Sequence, residues 1–169
     1  MASVPETAQA ADVVRLRVRR RAELDPAAVC RALAEPSWLG QPVDEAEAPS
    51  GGRRYLTDLV LPLPPDGRRL SLRKAALVDV GPFTSLPNGG CEIEIAWRSA
   101  TLAPLFPVFA GQLVVARDGL TLDGRYAPPG GAIGRAADRM LLHTAANGTA
   151  RWFLGHLLDA VSGDAPSEV

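Results

Sequence analysis

The chain has 169 residues, 47% of them hydrophobic, with a formal net charge of −1. That length suits one domain with a sizeable core. The near-neutral charge argues against polyanion binding, and no apolar run reaches the length of a membrane span.

Residues 1–11 and 163–169 read as flexible polar tails around a single domain over 12–162. The start lacks the charged and apolar blocks of a secretory signal. The expectation is a soluble, cytoplasmic protein with no nucleic-acid partner and no integral membrane association. Lys74 is the single Lys among many arginines, which reads as coding bias. Cys30 and Cys91 are the two cysteines. One disulfide is open to them, but a cytoplasmic location leads us to expect two buried thiols.

The segment "DVVRLRVRRR" alternates. Val14, Leu16 and Val18 share one face, and Arg15, Arg17 and Arg19 share the other, as in a half-buried strand with a solvated outer row. A helix follows in "LDPAAVCRALAEP". Asp25 is placed to cap it, Pro26 suits its first position, Val29, Cys30 and Leu33 give it an apolar side, and Pro36 stops it. "PSWLG" predicts a second short helical turn, and "VDEAEA" a short edge strand.

Further strands follow. "RRYLTDLVL" and "RRLSLRKAALVDV" flank the turn signal "PLPPDG". "CEIEIAWRSA" puts Cys91, Ile93, Ile95 and Trp97 on one face and Glu92, Glu94 and Arg98 on the other. "FPVFAGQLVVA" and "LTLDGRY" form a hairpin around Asp118-Gly119. Phe109, Gly111, Leu113 and Val115 then share a dry face with Leu120, Leu122, Gly124 and Tyr126, and the glycines leave space there. Gln112, Thr121, Asp123 and Arg125 take the wet face.

Pro128 and Pro129 end the last strand, and Gly130 and Gly131 turn the corner. From Ala132 to Val161 the pattern is helical, roughly 30 residues or about 45 Å, with a stop at Ser162-Gly163. The predicted packing stripe runs through Ile133, Ala137, Met140, Thr144, Gly148, Trp152 and Gly155, widened by Leu141, Leu154, Leu157, Leu158 and Val161. A curved sheet with one dry face needs a cover, and this helix is the one element long enough.

This order, and especially "LFPVFAGQLVV" followed by "LTLDGRYAPPGGAIGRAADRMLLHTAANGTARWFLGHLLDAV", resembles the START-like (SRPBCC) superfamily over residues 12–162. The corner "GRYAPPGG", Gly124 to Gly131, resembles the "G-Y-x-P-P-G" of a bacterial branch. The resemblance implies an α+β helix-grip fold: a curved antiparallel sheet of six to seven strands wrapped around the C-terminal helix, with two short helices after the first strand. It also implies a cavity between sheet and helix for a lipid or polyketide-like molecule. No motif selects among the superfamily's ligands, so no catalytic residue carries over.

The candidate pocket residues are Trp97, Phe106, Phe109, Tyr126, Met140, His143 and Thr144. Tyr126 offers an apolar ring with a hydroxyl that can orient a ligand. His143 can donate, accept or shuttle a proton, although a structural or solvent-edge role is the default. The two histidines, His143 and His156, lie roughly 140° apart on one helix and lack a third ligand, so no metal is expected. His156 is assigned to surface or packing, and Asp138 to ion pairing with Arg135 or Arg139. Thr57, Asp58, Ser71 and Lys74 have no face fixed by their alternation. "GGAIG" lacks the spacing of a phosphate loop, and no cofactor is expected.

Three functions fit. The leading one is binding of a hydrophobic small molecule. The alternatives are an aromatase or cyclase using His143, Tyr126 and Asp138, and an interaction domain with a filled core. The sequence leaves oligomeric state open.

Overall fold

A computed structural model describes residues 13–43, 52–62, 71–101, 108–127 and 136–163, without the side chains of 61–62, 71–72 and 136–142. The strands are β1 (Val14–Arg21), β2 (Gln41–Val43), β3 (Arg53–Pro62), β4 (Ser71–Ser85), β5 (Cys91–Ser99), β6 (Val108–Ala116) and β7 (Gly119–Ala127). The helices are α1 (Pro26–Ala34), between β1 and β2, and α2 (Ala136–Ser162), after β7. All seven strands join one antiparallel sheet in the order β1-β7-β6-β5-β4-β3-β2. The first strand crosses to pair with the last, and the rest form a meander. α2 packs against β1, β3 and β7 and against α1, so it lies across the sheet's inner face.

Local chemistry explains the elements. Asp25 accepts a hydrogen bond from the Ala27 amide at 3.1 Å, with Pro26 in the first turn. α1 buries Val29 and Leu33. The β6–β7 hairpin turns at Arg117-Asp118, one residue before the expected Asp118-Gly119, and keeps the predicted shared face: Phe109 pairs with Tyr126, Gly111 with Gly124, Leu113 with Leu122 and Val115 with Leu120. β5 alternates as expected, burying Cys91, Ile93, Ile95 and Trp97. The outer arginines of β1 are exposed but paired. Arg15 and Arg17 reach Asp123 at 3.0 and 3.7 Å, and Arg19 reaches Asp118.

Several expectations are corrected. One helix, not two, follows β1. Ser37–Leu39 form a turn closed by the Leu39 amide on the Pro36 carbonyl at 3.0 Å, because Pro36 ends the helical hydrogen-bond series. The edge strand is described over Gln41–Val43, so it begins two residues before "VDEAEA" and includes its Val43; residues 44–51 lie outside the described residues. β4 runs on to Ser85 past Gly81-Pro82. Its register shifts between Val80 and Phe83, and β3 begins opposite Val80, so Pro82 falls where β4 has lost one neighbour and needs no donor on that side. Cys30 and Cys91 are not thiols but a disulfide tying α1 to the start of β5 across 61 residues of sequence.

The packing stripe of α2 is also shifted. Leu154 and Leu157 are buried as expected, but so are Ala145, Ala146, Thr149, Ala150 and Phe153, whereas Thr144 is exposed and Gly148 and Trp152 are half-buried. Gly155 is buried on this surface with the Arg20 guanidinium against it. The expected tail at 1–11, the corner at 128–131 and the expected helix start at 132–135 lie outside the described residues, as do residues 164–169.

Candidate functional site

The register builds one aromatic row across the inner face. Tyr126 on β7 opposes Phe109 on β6, Phe109 opposes Trp97 on β5, Trp97 opposes Val78 on β4, and Val78 opposes Tyr55 on β3. All five are buried. The Trp97 and Phe109 rings stack with centroids 4.2 Å apart, and Phe153 of α2 lies 5.7 Å from Trp97. The space expected over the glycines is occupied. A Cβ on Gly111 or Gly124 would come within 2.8 or 2.7 Å of the Phe109 ring, which leans along its strand over both.

The row ends in a polar chain. The Tyr126 hydroxyl lies 3.3 Å from His143 Nδ1, while Asn147 Nδ2 lies 2.9 Å from His143 Nε2 and 3.0 Å from the His143 carbonyl. The carbonyl can only accept, so the Asn147 atom facing it is the amide nitrogen. That nitrogen's second hydrogen points to Nε2, which therefore accepts, and the neutral ring carries its proton on Nδ1. Nδ1–H then donates to the Tyr126 oxygen, leaving the phenol's own proton with no acceptor among the described residues. Burial pushes the Tyr126 phenol above its ordinary value.

A second polar group is unmatched. Thr149 is 0% exposed on the inner side of α2, and its hydroxyl has no hydrogen-bond partner among the described residues. A buried hydroxyl left unpaired costs about 1–3 kcal/mol.

The predicted site residues therefore divide. Trp97, Phe109 and Tyr126 are brought together in the interior. His143 touches that group from an exposed position at its edge, and Thr144 is exposed beside it. Phe106 lies outside the described residues, as do the side chains of Met140 and Asp138. Thr57 and Lys74 share the inner parity of Tyr55 and Ala76, Asp58 is exposed on the other face, and the Ser71 side chain is not described. His156 is a packing residue. It stacks on Trp152 with centroids 5.0 Å apart, meets Trp38 edge-on, and its Nε2 donates to the Trp38 carbonyl at 3.2 Å. Among the described residues no His, Cys, Asp or Glu cluster could hold a metal ion.

The sequence reading missed Phe153, Trp38 and Thr149. Phe153 packs between Trp97 and Trp38, and Trp38 anchors itself by donating to the Ala32 carbonyl at 2.8 Å. The recurrence of Thr149, Phe153 and Leu157 every four residues was the available signal. No sequence signal announced a cavity of about 360 Å³ on the sheet's outer face, lined by Asp79, Gly81, Pro82, Glu94, Ala96 and Gln112 among others. No described helix is long and apolar enough to cross a membrane.

No family model matches the chain, and no curated protein matches it. Among solved structures it is similar to the crystal structure of a STAR-related lipid transfer protein (fragment 25–204) from Xanthomonas axonopodis, with 16% identity, a TM-score of 0.43, and 90% of each chain covered.

Proposed function

We propose that the protein binds a small, largely apolar molecule bearing one polar group, held between the sheet and α2 at the end where Tyr126 meets His143. The observation that carries this reading is the pair of unused hydrogen-bonding groups on an otherwise apolar interior, the Tyr126 O–H and the buried Thr149 hydroxyl. Sites of this kind are mostly apolar, with a few polar groups to fix orientation. Trp97, Phe109 and Tyr126 would form the apolar wall, with Phe106, Met140, His143 and Thr144 completing the mouth. Burial of the ligand contributes about 25 cal/mol per Å² of apolar surface. The element order fits the START-like resemblance, whose helix-grip members hold ligands in this place. Binding without chemistry is the simpler reading, since His143 presents a donor, not a base, toward Tyr126.

Tryptophan fluorescence tests it, because Trp97 belongs to the wall. Long-chain alcohols, fatty acids and polycyclic phenols should quench or shift the emission saturably, and matched hydrocarbons should bind more weakly. Equal responses to polar and hydrocarbon ligands would remove the role of the two hydroxyls.

A second reading is favoured by one observation. The stack of Trp97, Phe109 and Phe153 fills the middle of the interior, as expected of an interaction domain with a closed core. Under that reading none of these ligands binds.

A further inference from the structure

We infer that the outer face of the sheet holds a second binding site, separate from the interior, for a single positive charge on a short apolar stem: an alkylammonium or alkylguanidinium group. The site is the cavity of about 360 Å³ over β4, β5 and β6, whose lining includes Asp79, Gly81, Pro82, Glu94, Ala96 and Gln112.

Its shape comes from the break in β4. Between Val80 and Phe83 the register with β5 shifts, and Gly81 and Pro82 bulge from the ladder. Gly81 has no side chain, and the Glu94 stem lies across the gap: a Cβ at Gly81 would sit 2.8 Å from Glu94 Cβ and 3.5 Å from its Oε2. Glu94 is thus folded back over the bulge at the wall of the cavity. Beside it the outer positions of β5 and β6 are Ala96 and Ala110, register partners too short to fill the space above them.

The charges select the ligand. Asp79 is committed to Arg54, which donates to its two oxygens from Nε at 2.6 Å and from Nη2 at 3.0 Å. Both partners of that bridge are largely buried. Glu94 has no hydrogen-bond or ion-pair partner among the described residues, although it lies on the same wall. Gln112 is its register partner on β6 and supplies a carbonyl oxygen that can accept a second N–H. One unmatched carboxylate, one neutral acceptor and a floor of methyl groups fit a monocation with three or four carbons. A dication would lack a second counter-charge, and an anion would meet Glu94.

The test is a titration of the full chain followed by backbone amide NMR, with n-butylammonium, n-butylguanidinium, N-acetyl-lysine-N-methylamide and uncharged n-butanol as probes. The cations should give saturable shifts centred on Ala96, Ala110, Gly111 and Gln112 that weaken with added salt. Glu94→Gln should lower the affinity at least tenfold and leave distant amides unmoved. Glu94 is exposed, so this variant keeps its fold, and its own spectrum checks that. Tighter binding of the free amines identifies a small-molecule site, and tighter binding of the capped lysine identifies a socket for a basic side chain. Absence of saturable shifts, equal response to n-butanol, or an unchanged affinity in Glu94→Gln overturns the inference.

Discussion

Trp97 and Phe109 face each other across β5 and β6, and their rings stack 4.2 Å apart with 22° between their planes. The stack depends on absent side chains. Phe109 can lie flat only because Gly111 and Gly124, paired on β6 and β7, leave its ring that area. Gly124→Ala should therefore push the ring off Trp97 and force β6 and β7 apart, costing about 1–3 kcal/mol by overpacking. Trp97→Ala should cost more, about 3–5 kcal/mol, by opening a void. Urea unfolding midpoints measure both. A neutral Gly124→Ala would mean the ring has other room to occupy.

The Cys30–Cys91 bridge closes a loop of 61 residues between α1 and β5. On the chain-entropy model a loop of that size stabilises by about 4 kcal/mol. Replacing both cysteines with Ser, or reducing the protein, should lower the unfolding midpoint accordingly while the native fold is retained. Mass spectrometry with a thiol label gives the direct check. No label should enter the folded, unreduced protein, and two should enter after reduction and unfolding.

Arg54 and Asp79 form an ion pair with side chains only 9% and 15% exposed. Asp79→Asn removes a carboxylate that takes two hydrogen bonds from a buried guanidinium and should cost about 3 kcal/mol. Arg54→Met combined with Asp79→Leu should recover most of that loss, since desolvation of both charges is then avoided. A double variant as unstable as Asp79→Asn would show that the pair itself stabilises the fold.

Two groups shift in opposite directions with pH. Burial raises the Tyr126 phenol. Its contribution to stability is complete below the unfolded value of about 10 and is lost as pH rises through the folded value. Tyr126→Phe should flatten that alkaline decline, read as unfolding midpoints between neutral and strongly alkaline pH. Asp123 moves the other way: the hydrogen bond from Arg15 lowers its carboxyl, with the charges of Arg15 and Arg17 adding to it. Its contribution is present above the unfolded value of about 3.9 and disappears as pH falls through the lower folded value. A carbon-detected titration should place the Asp123 midpoint below that of ordinary carboxylates. Arg15→Ala should move it back up.

The polar chain at the end of the aromatic row predicts a tautomer. Nitrogen NMR of His143 should show the proton on Nδ1 in the neutral ring, and Asn147→Leu should free Nε2 to compete for it. Tyr126→Phe removes the unused donor. It should weaken ligands that carry an acceptor about fivefold to tenfold, the size of one neutral hydrogen bond, while leaving hydrocarbon binding unchanged.

Strands β5 to β7 were legible because their alternation is strong. Cys91, Ile93, Ile95 and Trp97 contrast with Glu92 and Glu94, and Asp118-Gly119 marks the hairpin to within one residue of its turn at Arg117-Asp118, a shift that leaves the shared face unchanged. The face of α2 was less legible. Its apolar positions are largely Ala, Gly and Thr, which give little contrast between sides, and the decisive ring, Phe153, sits one position from the predicted stripe. The disulfide was hidden because pairing depends on the approach of distant segments, and an assumed compartment settled the expectation instead. Gly81-Pro82 reads locally as a strand end. That it bulges and continues depends on where β3 begins, a property of the sheet and not of the segment. The Tyr126–His143 contact joins a strand to a helix 17 residues on, and no periodicity within either element announces it.

Native mass spectrometry of the purified, disulfide-intact protein tests the central claim most directly. The sample is sprayed as isolated, then after denaturing extraction and refolding with a panel of long-chain alcohols, fatty acids and polycyclic phenols. The account predicts a one-to-one apolar adduct, either carried through purification or acquired saturably from the panel, and diminished in Tyr126→Phe and Thr149→Val. A protein that is empty as isolated and acquires none of these molecules would contradict it, and the interior would then be a closed core.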